Sequence, residues 1–194
     1  MNNLPELGPK VPRRDYGILT TVGRWWLRAS GWRITGNVPD LAKCVAAVAP
    51  HSSNWDFVHA VAVVLALGVR ISFIGKHTLF VGPLGRFMRW LGGVPVDRSR
   101  PEGVADDAVR GLAAVPAVWL GLAPEGTRKR GARFKHGFYR IAMAAQLPIV
   151  PVSLDYRNRE LRFHPPVMPT AQLEEGAAAI RDLLLGAGVR RDDV

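Results

Sequence analysis

The alternation of short apolar runs with amphipathic segments constrains the fold of this chain more than any other feature. The apolar runs are rich in Val, Ile and Leu, as in strands that are buried on both faces of a parallel sheet. They predict strands at 45–49, 71–74, 93–96, 118–123, 149–154 and 160–163. The segments between them predict helices at 55–67, 82–91, 104–114, 138–145 and 172–185. This order favours a single-domain α/β sandwich over 1–194, with helices flanking a mostly parallel central sheet.

The N-terminal segment, 1–33, combines a proline-containing arm with an amphipathic segment. Asp15 is a candidate cap for a helix at 16–30, and Gly31 is a candidate stop. The basic and aromatic residues of the segment are Arg13, Arg14, Arg24, Trp25, Trp26, Arg28, Trp32 and Arg33. This composition is typical of a helix that lies in a membrane interface, and it is equally compatible with an ordinary helix packed on the core.

The charge balance favours an anionic partner. The chain has 26 basic and 16 acidic residues, for a net charge of +10. Anionic lipid, a phosphorylated or CoA-linked substrate and nucleic acid would each complement such a surplus. We expect no nucleic acid partner, because no helix-turn-helix, zinc-finger or RNP pattern is present and the charges are dispersed.

Cysteine usage and hydropathy bear on location. Cys44 is the only cysteine of the sequence, so no disulfide can form within it, which fits a reducing compartment. The first residues show no apolar signal-peptide core, and the apolar run at 57–69 is shorter than the ~20 residues that span a bilayer. We therefore expect a cytoplasmic protein, peripheral on the inner face of the cell membrane.

A histidine and an aspartate lie five positions apart, directly after the first predicted strand, as His51 and Asp56 of the run HSSNWD. In an open α/β sheet, functional residues collect in the loops beyond the carboxyl ends of the strands. The spacing lets the carboxylate fold back onto one imidazole nitrogen, so that the other is available to take a proton. The pair is a candidate general base with its orienter, although a loop hydrogen bond or a helix cap would explain the same spacing.

A second polar block follows the predicted strand at 118–123 and consists of Glu125, Gly126, Thr127 and Arg128. Gly126 permits a tight turn, so that backbone amides, the Thr127 hydroxyl and the Arg128 guanidinium can face an anion. The alternative is a solvated basic loop in which the carboxylate holds the arginines in place.

The segment between these two blocks is rich in glycine and proline, which indicates a shaped loop apposed to a ligand. Lys76 lies near its start and Arg98 near its end, and each is a natural partner for a phosphate group. A structural ion pair between Asp97 and Arg98 is the alternative at the second end.

In order and spacing, these blocks resemble the four motifs of the glycerophospholipid acyltransferase family, which includes the 1-acylglycerol-3-phosphate acyltransferases. The matching runs are HSSNWD from His51, GKHTLF from Gly75 with VDR at 96–98, PEGTR from Pro124 and LPIVPV from Leu147. The resemblance covers roughly 45–155, which it identifies as an acyltransferase core. A C-terminal strand and helix would occupy 156–194.

The resemblance implies a glycerol-3-phosphate acyltransferase-like fold and an O-acyltransferase. A fatty acyl group would pass from acyl-CoA or acyl carrier protein to a hydroxyl of a lysophospholipid, glycerol phosphate or related lipid acceptor. His51 would be the general base and Asp56 its orienter, while Lys76, Arg98 and residues 125–128 would bind the acceptor. The acceptor hydroxyl would attack the thioester directly, so neither a cofactor nor a metal is implied.

The chain departs from the usual family pattern at several positions. Pro50 precedes the histidine where asparagine is frequent, and Lys129 stands where serine is frequent. Between the candidate catalytic residues, Ser53, Asn54 and Trp55 are unusually polar and aromatic, and we expect them to help select the acceptor. With its short length and no long hydrophobic N-terminal anchor, the chain resembles a smaller bacterial branch of the family.

Three other functions would use the same region. A serine hydrolase would take Ser52 or Ser53 as its nucleophile, although neither lies in a G-x-S-x-G turn. A metal-dependent hydrolase would join His51, Asp56 and His59, with His77 or His136 as a further ligand. The apolar surroundings of His59 favour a core histidine instead. A membrane-surface lipid-binding protein of the same fold would lack transferase activity.

Overall fold

Strands and helices alternate along the chain in the computed structural model, which describes residues 4–50, 53–96, 101–125 and 134–187. The strands are β1 (Arg33–Thr35), β2 (Lys43–Ala49), β3 (Ile71–Lys76), β4 (Gly93–Val96), β5 (Val118–Leu122), β6 (Ile149–Asp155) and β7 (Glu160–Phe163). The helices are α1 (Ile18–Ser30), α2 (Asn54–Leu67), α3 (Gly82–Leu91), α4 (Pro101–Ala113), α5 (Gly137–Ala145) and α6 (Leu173–Ala187), with a short 3-10 helix at His77–Phe80.

Within the described residues, the seven strands form one sheet in the order β1-β7-β6-β2-β5-β3-β4. These strands pair in parallel, apart from the antiparallel pair β6–β7. β2 lies near the centre, between β5 and β6, and β6 is buried along its whole length. The prediction of a mostly parallel central sheet is therefore confirmed.

Helices cover both faces of the sheet, as predicted for an α/β sandwich. Side chains of α1 and α2 pack on one face, and side chains of α4, α5 and α6 pack on the other. Alternate residues of β2 serve the two cores, because successive side chains of a strand point to opposite faces. Cys44 belongs to the first core, and Val45 and Ala47 belong to the second. The domain bounds at 1–33, 45–155 and 156–194 stay predictions.

The N-terminal helix, α1, packs on the core with one side and exposes apolar residues on the other. Gly23 and Leu27 are buried, and Leu27 packs in the same core as residues of α2. On the outer side, Ile18, Val22 and Trp25 are exposed large apolar residues. The helix is thus fixed to the body of the protein and still presents apolar side chains to the surroundings.

Two differences from the predicted elements have local causes. α1 begins at Ile18 because Gly17 adopts a φ of 57°, and the Asp15 carboxylate accepts a hydrogen bond from the Gly17 amide at 2.7 Å without capping the helix. β1 is an additional strand of three residues at the sheet edge, none of which is fully buried, so it carries no apolar run. Gly31 ends α1 in the left-handed conformation, as predicted.

Candidate active site

The carboxyl ends of β2, β5 and β6 meet at one edge of the sheet, because these strands are parallel neighbours. The register pairs Ala47 of β2 with Leu122, the last residue of β5, and Ala49 of β2 with Ser153 of β6. Asp56 and Glu125 follow β2 and β5 in the chain, so both leave the sheet at this edge. Loops at such an edge are where α/β proteins bind and transform ligands.

Asp56 is fully buried in the first turn of α2. Ser53 caps this helix, and its hydroxyl accepts a hydrogen bond from the Trp55 amide at 3.0 Å. In return, the Ser53 amide donates to Oδ2 of Asp56 at 2.5 Å, which completes a capping box. The helix N-terminus also favours a negative charge here. Asp56 therefore takes part in the capping box of α2, in line with the helix-cap interpretation of its spacing, and this contact fixes its carboxylate.

Tyr156 supplies a second hydrogen bond to the same carboxylate. Its hydroxyl donates to Oδ1 of Asp56, and the Ser53 hydroxyl lies 3.5 Å from that oxygen. Tyr156 follows the last residue of β6, the strand next to β2, and so emerges at the same edge of the sheet. Sequence reasoning did not single it out. The sequence offered only a tyrosine two residues after the predicted strand at 149–154, with no sign that this strand pairs with β2.

An aromatic cluster surrounds these hydrogen bonds and consists of Trp26, Trp32, Trp55, His59 and Tyr156. Trp26 stacks on Trp55 with ring centroids 6.1 Å apart, and His59 stacks on Trp32 at 4.1 Å. The edge of one ring meets the face of the other in the Trp32–Tyr156 pair, at 5.1 Å. The cluster joins α1, α2 and the end of β6, so the position of Asp56 at this edge of the sheet depends on the N-terminal helix.

His59 is buried inside this cluster, which confirms the prediction of a core histidine. The indole N–H of Trp26 donates to Nδ1 of His59 at 3.4 Å. Among the described residues, no group of three or more His, Cys, Asp and Glu side chains is arranged to hold a metal ion.

Two of the predicted substrate-binding residues, Glu125 and Lys76, lie within the part of the chain that the structure describes. Glu125 is buried and follows Pro124, whose carbonyl accepts a hydrogen bond from the Lys135 amide at 2.8 Å. Lys76 is exposed at the end of β3, where the register pairs it with Val96 at the end of β4. The strand order separates Lys76 from β2 by one strand, β5. Glu125 is thus a buried acid directly beyond β5, the neighbour of β2, and Lys76 is an exposed base at the end of β3, one strand further away.

The sequence model of the family described as Acyltransferase matches residues 33–155. This chain belongs to the acyltransferase family. The match includes all four motif blocks, and it ends one residue before Tyr156. Membership in the glycerophospholipid acyltransferases, expected from the motif order, is confirmed.

The names of the relatives agree with this membership, and a solved structure shares the fold. The chloroplastic 1-acyl-sn-glycerol-3-phosphate acyltransferase BAT2 of Brassica napus is 32% identical over 123 residues, covering 61% of this chain and 35% of that protein. The 1-acyl-sn-glycerol-3-phosphate acyltransferase of Escherichia coli is 30% identical over 125 residues, covering 60% and 49%. The chain thus spans half or less of the length of these relatives. The crystal structure of the 1-acyl-sn-glycerophosphate acyltransferase from Thermotoga maritima has a similar fold, with a TM-score of 0.65 and 21% identity over 88% of this chain and 78% of that one.

The remaining predicted site residues of this acyltransferase-family chain fall into two groups. Those outside the described residues are His51, Ser52, Asp97, Arg98, Gly126, Thr127 and Arg128. Of the candidates for acceptor selection, Ser53 is the cap of α2, Asn54 is exposed at the start of the helix, and Trp55 is 49% exposed. Trp55 therefore combines a stacked ring with a large free surface beside Asp56.

Proposed function

We propose that the protein is an O-acyltransferase. It transfers a fatty acyl group from acyl-CoA or acyl carrier protein to a hydroxyl of a lysophospholipid, glycerol phosphate or related lipid acceptor. The observation that carries this proposal is the Asp56 carboxylate, buried at the carboxyl edge of the sheet and held by the Ser53 amide and the Tyr156 hydroxyl. Such a carboxylate is suited to orienting the nearby motif histidine, His51.

In the proposed reaction, one nitrogen of His51 donates to Asp56 and the other takes the proton of the acceptor hydroxyl. The acceptor oxygen attacks the thioester carbonyl carbon and forms the new ester bond. The carbon–sulfur bond then breaks, and the proton held by His51 passes to the departing thiolate. Asp56 stabilises the imidazolium between these two steps.

The acceptor's anionic head would be bound beside β5. Lys76, Arg98 and the block from Glu125 to Arg128 are the residues we assign to this role, because guanidinium and ammonium groups pair well with phosphate. The burial of Glu125 suits a carboxylate that holds neighbouring basic side chains in place. The named activity of the relatives supports lysophosphatidate as the first acceptor to test.

Acceptor selection and membrane contact complete the proposal. Ser53, Asn54 and Trp55 lie beside Asp56, and the exposed ring of Trp55 is the one we expect to contact the acceptor. Exposed apolar residues on α1 and α3 would bring the protein, as a peripheral protein, to the cytoplasmic face of the cell membrane. No helix among the described residues is both long and apolar enough to cross a bilayer.

The test supplies labelled acyl-CoA or acyl carrier protein with a panel of lysolipids, glycerol phosphate and small alcohols. We expect His51→Ala to lower acyl transfer by about 10²- to 10⁴-fold, the usual contribution of a general base. His164→Gln is the matched control, because the His164 ring bonds to Ser153, which alternates in β6 with Val152 and Leu154 and so faces away from the core that they share with Tyr156. Full transfer by His51→Ala would overturn the proposal.

The same assay separates the alternatives. A hydrolase would release free fatty acid without an acceptor, and a serine hydrolase would lose that release in Ser52→Ala or Ser53→Ala. A metal-dependent hydrolase would be inactivated by a chelator. A lipid-binding protein of the same fold would bind vesicles and lysolipids but form no product with any acceptor in the panel.

A further inference from the structure

We propose that Tyr156 is a positioning residue for the acyl-transfer reaction and acts by holding the Asp56 carboxylate in one orientation. This inference rests on the proposed function, because it concerns how Asp56 is kept ready to orient His51. Tyr156 lies directly beyond the region matched by the family model and outside the four motif blocks.

The first step of the argument is the geometry of the carboxylate. Oδ2 of Asp56 accepts from the Ser53 amide at 2.5 Å, and Oδ1 accepts from the Tyr156 hydroxyl. With one oxygen fixed from the helix cap and the other from the end of β6, the carboxylate plane cannot turn freely. A carboxylate has about four acceptor positions, so these two bonds still allow it to accept from an imidazole N–H.

The second step is the absence of solvent. Asp56 is 0% exposed, so its carboxylate depends on protein groups as hydrogen-bond donors. Without the Tyr156 hydroxyl, Oδ1 would keep the 3.5 Å contact with the Ser53 hydroxyl among its described contacts. A buried charged acceptor that loses a donor bears the full cost of desolvation, and a rotation of the carboxylate toward another donor would relieve it. Such a rotation would misalign His51.

The third step is how Tyr156 itself is held. Its ring packs edge-on against Trp32 at 5.1 Å and His59 at 6.0 Å. Backbone pairing of β6 with β2 and β7 fixes the chain up to Asp155, the residue before it. The hydroxyl therefore has little freedom, and removing it alone should leave the ring and the fold in place.

The experiment compares Tyr156→Phe with the wild type in the acyl-transfer assay. We expect kcat to fall about tenfold while KM for donor and acceptor stays within about twofold, because the lost interaction aligns a group and does not bind substrate. Tyr139→Phe is the matched control, since the Tyr139 hydroxyl is also buried and accepts from the Thr170 amide at 2.9 Å in the opposite core. The kcat of folded Tyr139→Phe should equal that of the wild type.

A double-variant cycle distinguishes positioning from general support of the fold. If Tyr156 acts through Asp56, adding Tyr156→Phe to Asp56→Asn should change the residual kcat by less than about twofold. An equal loss in both backgrounds, or an unchanged kcat in Tyr156→Phe alone, would overturn the inference. Should Tyr156→Phe fail to fold, 3-fluorotyrosine at position 156 preserves the ring and strengthens the donor; a changed kcat supports positioning, and an unchanged one refutes it.

Failure of this inference can be told from failure of the proposed function. Full activity of Asp56→Asn and His51→Ala would refute the proposed catalytic pair itself. Inactive Asp56→Asn together with fully active Tyr156→Phe would refute only the role of Tyr156.

Discussion

Gly23 of α1 lies so close to α2 that a Cβ atom added to it would come within 2.7 Å of the carbonyl oxygen of Ala62. The same atom would lie 2.9 Å from the Ala66 amide nitrogen. The two helix backbones can approach this closely because residue 23 has no side chain. The approach in turn brings Trp26, three residues along α1, into stacking contact with Trp55 beside Asp56.

We therefore predict that Gly23→Ala destabilises the protein, by roughly 1–3 kcal/mol, because a methyl group at this contact forces α1 away from α2. Urea unfolding monitored by tryptophan fluorescence measures the change. Gly111→Ala in α4 is the control: an added Cβ meets nothing within 4 Å, and alanine is the better helix former, so stability should hold or rise. Equal stability of Gly23→Ala and the wild type would contradict the close packing.

The helix cap at Ser53 gives a second prediction. Ser53→Ala removes the hydroxyl that accepts from the Trp55 amide, at a cost of about 1 kcal/mol in unfolding free energy. The Ser53 amide, which bonds to Asp56, survives the substitution, so kcat should change little, and a role of the hydroxyl in acceptor selection would appear in KM for the acceptor. Ser30→Ala, at the last residue of α1, removes a hydroxyl that donates to the Trp26 carbonyl and should cost less. A large loss of kcat in Ser53→Ala would mean that its hydroxyl does more than cap the helix.

The strands next to the candidate site could be predicted because a strand that is buried on both faces appears in the sequence as an apolar run. β2, β5 and β6 lie at the centre of the sheet and are apolar runs, so their existence and their ends were readable within one or two residues. β1 has no apolar run, because a three-residue strand at the sheet edge buries few side chains. Asp56 was singled out because a histidine, His51, lies five residues before it in the sequence.

Tyr156 could not be found in that way. It lies 100 residues from Asp56 along the chain, and their contact exists only because β6 pairs with β2. Strand order is set by packing over the whole sheet and leaves no local pattern in the sequence. The aromatic cluster could not be predicted for the same reason: the composition around Trp26 and Trp32 fitted a membrane interface or a helix packed on the core equally well, and the structure brings both rings to His59.

A third prediction concerns the outer side of α1. Ile18 and Trp25 are 80% and 63% exposed, and we expect Ile18→Ser with Trp25→Ser to weaken binding to anionic phospholipid vesicles about tenfold without loss of stability. Point variants are needed because removing 1–33 would also remove Leu27 and Trp32 from the core. Met168→Ser is the control, because it also replaces an exposed apolar side chain by serine, at a 58% exposed residue that precedes α6 and lies outside α1. Unchanged vesicle binding by the double variant would refute a membrane role for α1.

The fourth prediction is a pH dependence of stability that comes from His164. Its Nε2 lies 2.9 Å from the Ser153 hydroxyl, and burial, assisted by the nearby Arg162 charge, lowers the pKa of His164 below its ordinary value of 6.5. As the pH falls through 6.5, the unfolded chain therefore takes up a proton before the folded protein does, so the unfolding free energy decreases until the lower folded pKa is passed. Urea unfolding from about pH 7.5 to about pH 5 should show this decrease in the wild type and a smaller one in His164→Gln. His77→Gln, at an exposed residue, controls for the loss of one imidazole, and identical pH profiles of wild type and His164→Gln would show that the folded protein does not disfavour the charged ring.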